Sequence, residues 1–501
     1  MDSLTSLLEG FSHALTLQNL LWVTAGCLLG TAVGVMPGLG SSMAVALLLP
    51  VTFALDPTAA FIMFAGVYFG GLFGDSTMGI LMNTPGQASA IASTFEGHRM
   101  ATSGRAPQAL ATAAIGAFIG GIVASVLVVF LAPALAELSS KFGPAEFFAL
   151  ALFAFVATSS IVTDSTIKGL ASLAIGLAIA VVGIDGVTGA QRFTFGSPVL
   201  FDGISLVTVT VGMLALGEVL YVACIARHGQ TGKMVDPGGR AWLSRREFRE
   251  AAPAWLRGTA IGLPFGVVPA GGSEIPTFLA YGMEKRLDAK RKDPQFGKGA
   301  IRGLAAPEAA GNATTGMAMG ALLALGLPIS ATAAIMLGAF RQYGLQPGPL
   351  LFERAPDLVW GLLASFFVAM VILLIINLPF AQLWAKLLLI PQPYLYAGIT
   401  VFCVLGIYAT GSSTTDLLIL LAIGLLAFVM RTFDYPLAPL IIGMVLGPLA
   451  EVSLRDALMS SDGDPAVLVH GPIAIALYVL LAVAIVLTVI TKIRGLAGAR
   501  P

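Results

Sequence analysis

Glycine and proline interrupt the apolar sequence at four places, and small polar residues accompany each interruption. The segments are Gly38-Leu39-Gly40-Ser41-Ser42, Asn83-Thr84-Pro85-Gly86, Gly271-Gly272-Ser273 and Pro328-Ile329-Ser330. Proline ends a helical hydrogen-bond ladder, and glycine lets the backbone open. The helix that begins after such a break presents unpaired N–H groups and the positive end of its dipole. An anion such as a carboxylate can bind there without a lysine.

These four breaks therefore supply the candidate substrate-binding residues, and Asn312 lies in the segment just before the last break. The full set is Gly38, Gly40, Ser41, Ser42, Asn83, Thr84, Pro85, Gly86, Gly271, Gly272, Ser273, Asn312, Pro328 and Ser330. Close helix packing is the alternative role for any single glycine–proline pair in a membrane. The repeated and paired arrangement favours binding.

No lysine or arginine lies inside the four breaks. Helix dipoles of roughly half a unit charge each do not neutralise a ligand with several negative charges. We therefore expect a co-bound cation, Na⁺ or H⁺, or basic residues from elsewhere in the chain. Acids at membrane depth are functional candidates, and Asp75 and Glu308 lie closest to the breaks. Capping is the alternative role for both, and backbone carbonyls at the breaks could bind Na⁺ without an acid. We expect no other cofactor and no catalytic residue.

The composition indicates a membrane protein. Of 501 residues, 57% are hydrophobic and 11% are charged, whereas soluble domains carry roughly a quarter charged residues. Several apolar segments, such as Ala109–Leu131, Val359–Leu378 and Ile473–Ile490, approach the roughly 20 residues that a transmembrane helix needs. They do not alternate as barrel strands would. We predict an all-α polytopic protein with about 10–12 transmembrane segments, surrounded by lipid; the zero net charge gives no reason to expect a nucleic-acid partner.

The basic residues suggest an orientation and a re-entrant hairpin. Fourteen of the 27 Lys and Arg residues fall between Arg227 and Arg302, in two clusters, and basic loops stay in the cytoplasm. The apolar piece between the clusters, Gly258–Glu284, has 27 residues, too few for two passages of roughly 20 each. A hairpin that turns near Pro269 and Gly272 inside the membrane fits this length. A kinked pair of surface helices is the alternative.

Three pairs of segments match in order along the chain. Pro37 matches Pro269 at an offset of 232 positions, Pro85 matches Pro328 at 243, and Gly176 matches Gly424 at 248. We infer two internal repeats, 14–226 and 256–495, joined by a basic cytoplasmic linker at 227–255. The broken-helix motifs lie at 34–42, 83–90, 266–273 and 326–333. The loop near Asp56 lacks basic residues while its counterpart is strongly basic, which predicts inverted topology.

Nine motifs carry a resemblance to a known family. They are Gly34–Gly40, Leu48–Phe53, Gly66–Gly71, Asn83–Gly86, Phe296–Ala300, Pro307–Ala310, Asn312-Ala313, Leu325–Pro328 and Pro347–Pro349. In these motifs the chain resembles the large membrane subunit of the tripartite tricarboxylate transporter family, over most of its length. Segments around Ala270, Asp75, Gly311 and His98 depart from the family pattern. Because they lie near the predicted site, they bear on the substrate more than on the fold.

The resemblance implies a permease that imports small di- or tricarboxylates, aliphatic or aromatic, across the bacterial inner membrane by means of a Na⁺ or H⁺ gradient. It also implies two partners, a small membrane subunit and a periplasmic solute-binding protein. The alternatives are an anion channel and a carrier of another solute class. An enzyme is disfavoured because the sequence holds no HExxH or similar motif.

Overall fold

The computed structural model describes residues 3–36, 39–160, 165–225, 234–239, 241–268 and 272–498. Most of these residues are helical. A two-stranded antiparallel ribbon pairs β1 (Gly183–Ile184) with β2 (Gln191–Arg192). This ribbon lies in the 181–205 loop.

The helices fall on either side of the basic linker. Those before it are α1 (Ser3–Ala14), α2 (Leu17–Val35), α3 (Ser41–Thr52), α4 (Pro57–Met82), α5 (Ile91–Met100), α6 (Ala106–Ser139), α7 (Pro144–Ser160), α8 (Thr166–Ala180), α9 (Leu206–Val211) and α10 (Gly217–Cys224). One π-helical turn joins α5 to α6, another joins α9 to α10, and a 3-10 turn at Ala88–Ala90 precedes α5.

The helices after the linker follow a similar succession. They are α11 (Arg245–Phe265), α12 (Glu274–Asp288), α13 (Ile301–Leu325), α14 (Ala331–Gln342), α15 (Pro349–Arg354), α16 (Pro356–Asn377), α17 (Ala381–Leu387), α18 (Gln392–Gly411), α19 (Thr414–Thr432), α20 (Leu437–Met459) and α21 (Pro472–Gly498). Residues 245–255, which the sequence assigned to the linker, form the first turns of α11. Ser244 and Glu247 cap that helix reciprocally.

Eight of the described helical segments are long and apolar enough to cross a membrane: α2, α4, α5–α6, α9–α10, α16, α18, α19 and α20. Four shorter apolar helices, α3, α7, α8 and α21, accompany them. The expectation of an all-α polytopic membrane protein is thereby confirmed.

Each predicted break separates two helices. Between α2 and α3, Gly40 is the extended residue before α3. The helices α4 and α13 end alike, at Asn83 (φ 57°) and Gly326 (φ 67°), both in the left-handed conformation. The predicted hairpin in Gly258–Glu284 corresponds to α11 and α12, and Pro269 to Gly271 between them lie outside the described residues.

Glycine seams hold two pairs of long helices together. In α2, Gly26, Gly30 and Gly34 face the carbonyl oxygens of Met63, Val67 and Gly71 in α4; in α11, Gly258, Gly262 and Gly266 face those of Ala306, Ala310 and Thr314 in α13. A Cβ at Gly30 would lie 2.7 Å from Val67 Cα, so only glycine permits this approach. The two seams are related by offsets of 232 positions for the glycines and 243 for the carbonyls, the same offsets that relate the first two pairs of matched segments.

In two pairs of matching helices, one helix near its start contacts the other near its end. Ser76, near the end of α4, donates a hydrogen bond of 2.7 Å to Glu308, near the start of α13. Likewise Lys168, near the start of α8, donates to the carbonyl of Phe433, just after α19. These contacts support the proposal of two repeats with inverted topology.

The bundle has two different ends. At one end, Glu96 of α5 accepts backbone hydrogen bonds from Gly297, Gly299 and Ala300, next to the basic 289–300 loop. At the other end, Ser139 of α6 bonds the carbonyl of Ala324, near the last residue of α13. Helix α7 begins shortly after α6 ends, and the 3-10 turn that follows α20 contacts α7. The last residues of α20 therefore also lie at this second end. Arg455 of α20 pairs with Asp185 and places the 181–205 loop on this second end.

Candidate functional site

A cavity of about 210 Å³ lies between the two halves, and the first residues of four helices line it. The lining residues from these helix starts are Ser42 of α3; Gln87, Ala88 and Ser89 before α5; Gly272, Ser273 and Glu274 at α12; and Ser330, Ala331 and Thr332 at α14. Since N-terminal backbone N–H groups and the positive ends of helix dipoles meet at such positions, the cavity suits an anion.

Hydroxyl groups join the two halves beside the cavity. The Ser41 Oγ donates to Gln87 Oε1 at 3.1 Å and lies 3.3 Å from Thr332 Oγ1. The Ser330 Oγ accepts the Ala333 N–H at 3.2 Å and so caps α14. These contacts place three of the four helix starts in a fixed arrangement around the cavity.

Most of the remaining lining residues belong to other helices. Tyr68 of α4 and Thr315 of α13 supply hydroxyls, and Thr158 of α7 supplies a third. Leu72 and Ile442 are among the apolar residues of the wall. A few oriented hydroxyls in an apolar wall are the usual composition of a small-molecule site.

A second cavity of about 20 Å³ lies next to the first and contains both predicted ion-coupling acids, Asp75 and Glu308. Asp75 accepts the backbone N–H groups of Gly86 at 2.5 Å and of Gln87 at 3.2 Å. Glu308 accepts the Ser76 hydroxyl. Each carboxylate therefore already has donors from the protein: Asp75 holds the second break in place, and Glu308 connects α13 to α4.

The structure divides the predicted substrate-binding residues into groups. Ser42, Gly272, Ser273 and Ser330 line the larger cavity. Ser41 lies directly behind its wall through the contacts above, and Gly40 precedes it. Asn312 lines the smaller cavity, where its Nδ2 donates to the carbonyl of Glu308 at 3.1 Å.

Other predicted residues lie elsewhere. Asn83 and Thr84 are exposed, because Asn83 ends α4 in a left-handed turn. Pro85 and the buried Pro328 do not line the larger cavity, and the N–H of Gly86 is used by Asp75. Gly38 and Gly271 lie outside the described residues.

Seven polar residues of the cavity were absent from the predicted set: Tyr68, Gln87, Ser89, Thr158, Glu274, Thr315 and Thr332. Gln87, Ser89 and Thr332 belong to the broken segments 83–90 and 326–333, and Glu274 directly follows Ser273, so position in the sequence could have identified these four. Tyr68 lies in the Gly66–Gly71 motif of the family resemblance, whereas Thr158 and Thr315 lie within apolar helices, where no sequence signal distinguishes them.

The charge in the larger cavity comes from one acid and from backbone dipoles. Among the residues that the structure describes, no lysine or arginine lines this cavity. The acid is Glu274, the first residue of α12. No group of three His, Cys, Asp or Glu side chains that could hold a metal occurs in the described ranges. The cavity therefore offers neutral polar groups and helix starts beside one acid.

Comparisons with known proteins agree with this description. The family model described as "Tripartite tricarboxylate transporter TctA family" matches residues 20–442. The "Uncharacterized 52.8 kDa protein in TAR-I ttuC' 3'region" of Agrobacterium vitis is 39% identical over 495 residues, covering 99% of this chain and 98% of that protein. The "Uncharacterized protein in TAR-II ttuC' 3'region" of the same organism is 39% identical over 235 residues, 47% of this chain and 96% of that protein.

No solved structure matches the chain. The family match covers most of the sequence, and the longer relative spans almost all of it. With its apolar helices, the chain is a multi-pass membrane protein, and it belongs to the tripartite tricarboxylate transporter TctA family, whose members are transporter permease components.

Proposed function

We propose that this chain is the permease that imports small di- or tricarboxylates across the bacterial inner membrane by secondary active transport. The observation that carries the proposal is the convergence of four helix N-termini from both halves on one cavity. Carboxylates are the anions that such a site accepts through backbone N–H groups and hydroxyls. A cavity of about 210 Å³ is smaller than the roughly 300–1,000 Å³ of drug-sized ligand sites, which favours a small acid.

The cavity suits an alternating-access mechanism because helices from both halves of the chain line it. Its lining includes α3 and α4 from the first half and α12, α13 and α14 from the second. A movement of one half against the other would change which side of the membrane the cavity faces, while the polar groups remain with their helices. The gradient of a cation, H⁺ or Na⁺, would supply the energy for accumulation.

Two partners complete the proposed transporter. A periplasmic solute-binding protein would deliver the carboxylate, and a small membrane subunit would accompany the permease. Their involvement rests on the family, whose members work with further components.

The test is uptake in proteoliposomes that contain all three components. Labelled carboxylates would be screened with and without an imposed H⁺ or Na⁺ gradient. We expect saturable, gradient-dependent accumulation of at least one di- or tricarboxylate. Gradient-independent downhill flux would indicate a channel instead, and no flux of any carboxylate would refute the proposal.

Paired variants would test the location of the site. Ser330→Ala removes a cavity hydroxyl and should weaken uptake. Thr84→Ala alters a residue that is exposed and away from the cavity, so uptake should persist. If Thr84→Ala weakened uptake and Ser330→Ala did not, the binding site would lie at the second break, as predicted from the sequence. Fluorescence-detected size exclusion of each variant would show that it inserts and folds.

A further inference from the structure

The carboxylate of Glu274 differs from the other acids near the site. Its Oε2 atom is buried and has no hydrogen-bond partner within the described ranges. The residue lines the larger cavity, where the substrate is proposed to bind. Asp75 and Glu308 instead lie in the smaller cavity and accept hydrogen bonds from Gly86, Gln87 and Ser76. Glu274 is thus the acid that is free to respond to the contents of the substrate cavity.

A negative Glu274 and a carboxylate ligand oppose each other in this cavity. Like charges at close range in a site of low dielectric repel strongly, and none of the described lining residues is a lysine or arginine that could compensate. The helix N-termini carry only partial positive charge, and Glu274 itself occupies the start of one of these helices, α12. Removal of the charge on Glu274 would therefore favour binding of the anion.

The groups that face Glu274 are hydroxyls and acids. Tyr68 and Thr315 come from α4 and α13, and Ser330 comes from the start of α14. Behind them lie Asp75 and Glu308, both bonded within the protein. No histidine is among the described residues that line the two cavities. Glu274 is accordingly the acid in the larger cavity that can exchange a proton with water entering that cavity.

We propose that Glu274 carries the coupling proton, an inference that rests on the proposed carboxylate transport. A proton from the side of substrate entry bonds to a Glu274 carboxylate oxygen as the anion enters the cavity. After the cavity faces the other side and the anion leaves, the O–H bond breaks and the proton is released there. A proton needs only this one oxygen. Neutralising Glu274 in this way makes occupancy of the cavity by the anion and by the proton mutually favourable.

The experiment compares wild type, Glu274→Gln and Glu274→Asp in proteoliposomes with the two partner proteins. Exchange of labelled for unlabelled carboxylate across the membrane measures binding and movement without net proton transfer. Accumulation driven by an inward pH gradient, together with an internal pH-sensitive dye, measures coupling. We expect Glu274→Gln to keep measurable exchange, to lose pH-driven accumulation above the external concentration, and to lose substrate-dependent acidification. Glu274→Asp should retain both activities.

Each other outcome is decisive. Continued pH-driven accumulation by Glu274→Gln would overturn the assignment of the proton to Glu274. Loss of exchange as well, in a variant that remains monodisperse, would make Glu274 a binding or structural residue and would overturn it too. Wild-type accumulation driven by Na⁺ alone would replace the proton by Na⁺. Absence of wild-type exchange for every carboxylate would refute the proposed function itself, which distinguishes that failure from failure of the coupling inference.

Discussion

The hydroxyl of Tyr68 in α4 lies 3.2 Å from the hydroxyl of Ser330, the residue that caps α14. The two residues are 262 positions apart in sequence and belong to different halves of the chain. Both line the larger cavity. The pair therefore connects a helix start that can bind an anion to the middle of a long helix in the opposite half.

The Tyr68→Phe variant tests whether this hydroxyl contributes to substrate binding. It removes one hydroxyl and keeps the ring. Because a neutral hydrogen bond contributes a net of about 1 kcal/mol, we expect the KM for uptake to rise about fivefold. Initial uptake rates at varied substrate concentration give the KM. Tyr408→Phe, on a half-exposed part of α18, is the matched control, and an unchanged KM in Tyr68→Phe would place the hydroxyl outside the binding site.

The seam between α2 and α4 should not tolerate a side chain at Gly30. A Cβ there would lie 2.7 Å from Val67 Cα, and overpacking of a core typically costs about 1–3 kcal/mol or more. We expect Gly30→Leu to lower the temperature of aggregation in a size-exclusion thermal assay, or to prevent insertion. Gly398→Leu in α18, where a Cβ meets no atom within 4 Å, should behave as wild type. Equal stability of the two variants would contradict the seam.

Glu96 should stabilise the start of α13. Its Oε1 accepts the N–H of Gly297 at 2.7 Å, and its Oε2 accepts those of Gly299 at 2.9 Å and Ala300 at 2.8 Å. Glu96→Ala leaves these groups without their acceptor. Gly299 and Ala300 are buried, and each unsatisfied buried donor costs roughly 1–3 kcal/mol. We expect faster proteolysis within the 289–300 loop and a lower unfolding temperature. Glu353→Ala, at an exposed position of α15, is the control; a proteolysis rate equal to wild type would show that the three bonds do not hold the loop.

The Asp185–Arg455 pair should stabilise the 181–205 loop over the whole neutral range. The Arg455 guanidinium donates to Asp185 at 2.8 Å, and this bond, with those from Val187 N–H and Thr188, lowers the pKa of Asp185. A lowered folded-state pKa gives stability that is present above the unfolded pKa of about 4 and is lost as the pH falls towards the folded value.

Asp185→Asn should therefore make the loop more sensitive to protease at pH 7, and the difference from wild type should remain constant between pH 5 and 8 and shrink only under stronger acid. Limited proteolysis and intact mass measurement would follow the cleavage. A difference that disappears already near pH 6 would mean that another group, not Asp185, controls this loop.

The two ends of the bundle should be accessible from opposite sides of the membrane. Lys292 is exposed in the basic 289–300 loop, and Phe195 is 90% exposed in the 181–205 loop at the other end. We expect Lys292→Cys to react with a membrane-impermeant maleimide only in inside-out vesicles, and Phe195→Cys only in intact spheroplasts. A background without the native cysteines is the control. Labelling of both positions from one side would contradict the topology.

The sequence alone determined the class of this protein and the position of its breaks. Too few charged residues exist to cover a soluble protein of 501 residues, and glycine and proline act on the backbone locally, so α2, α4 and α13 end close to where their motifs predict. The matched offsets of 232 and 243 positions also come from the sequence, because the same seam of glycines and carbonyls is required twice.

Only the tertiary structure decided which polar groups meet. Asn83 and Ser330 both accompany breaks, yet Asn83 is exposed and Ser330 lines the cavity, since one precedes its turn and the other begins the next helix. Tyr68 and Glu274 line the same cavity because segments about two hundred residues apart pack together. Similarly, Asp75 and Glu308 accept hydrogen bonds from nearby groups, while the Oε2 atom of Glu274 has no partner among the described residues. Such differences depend on the direction of a side chain relative to distant helices, which local sequence does not encode.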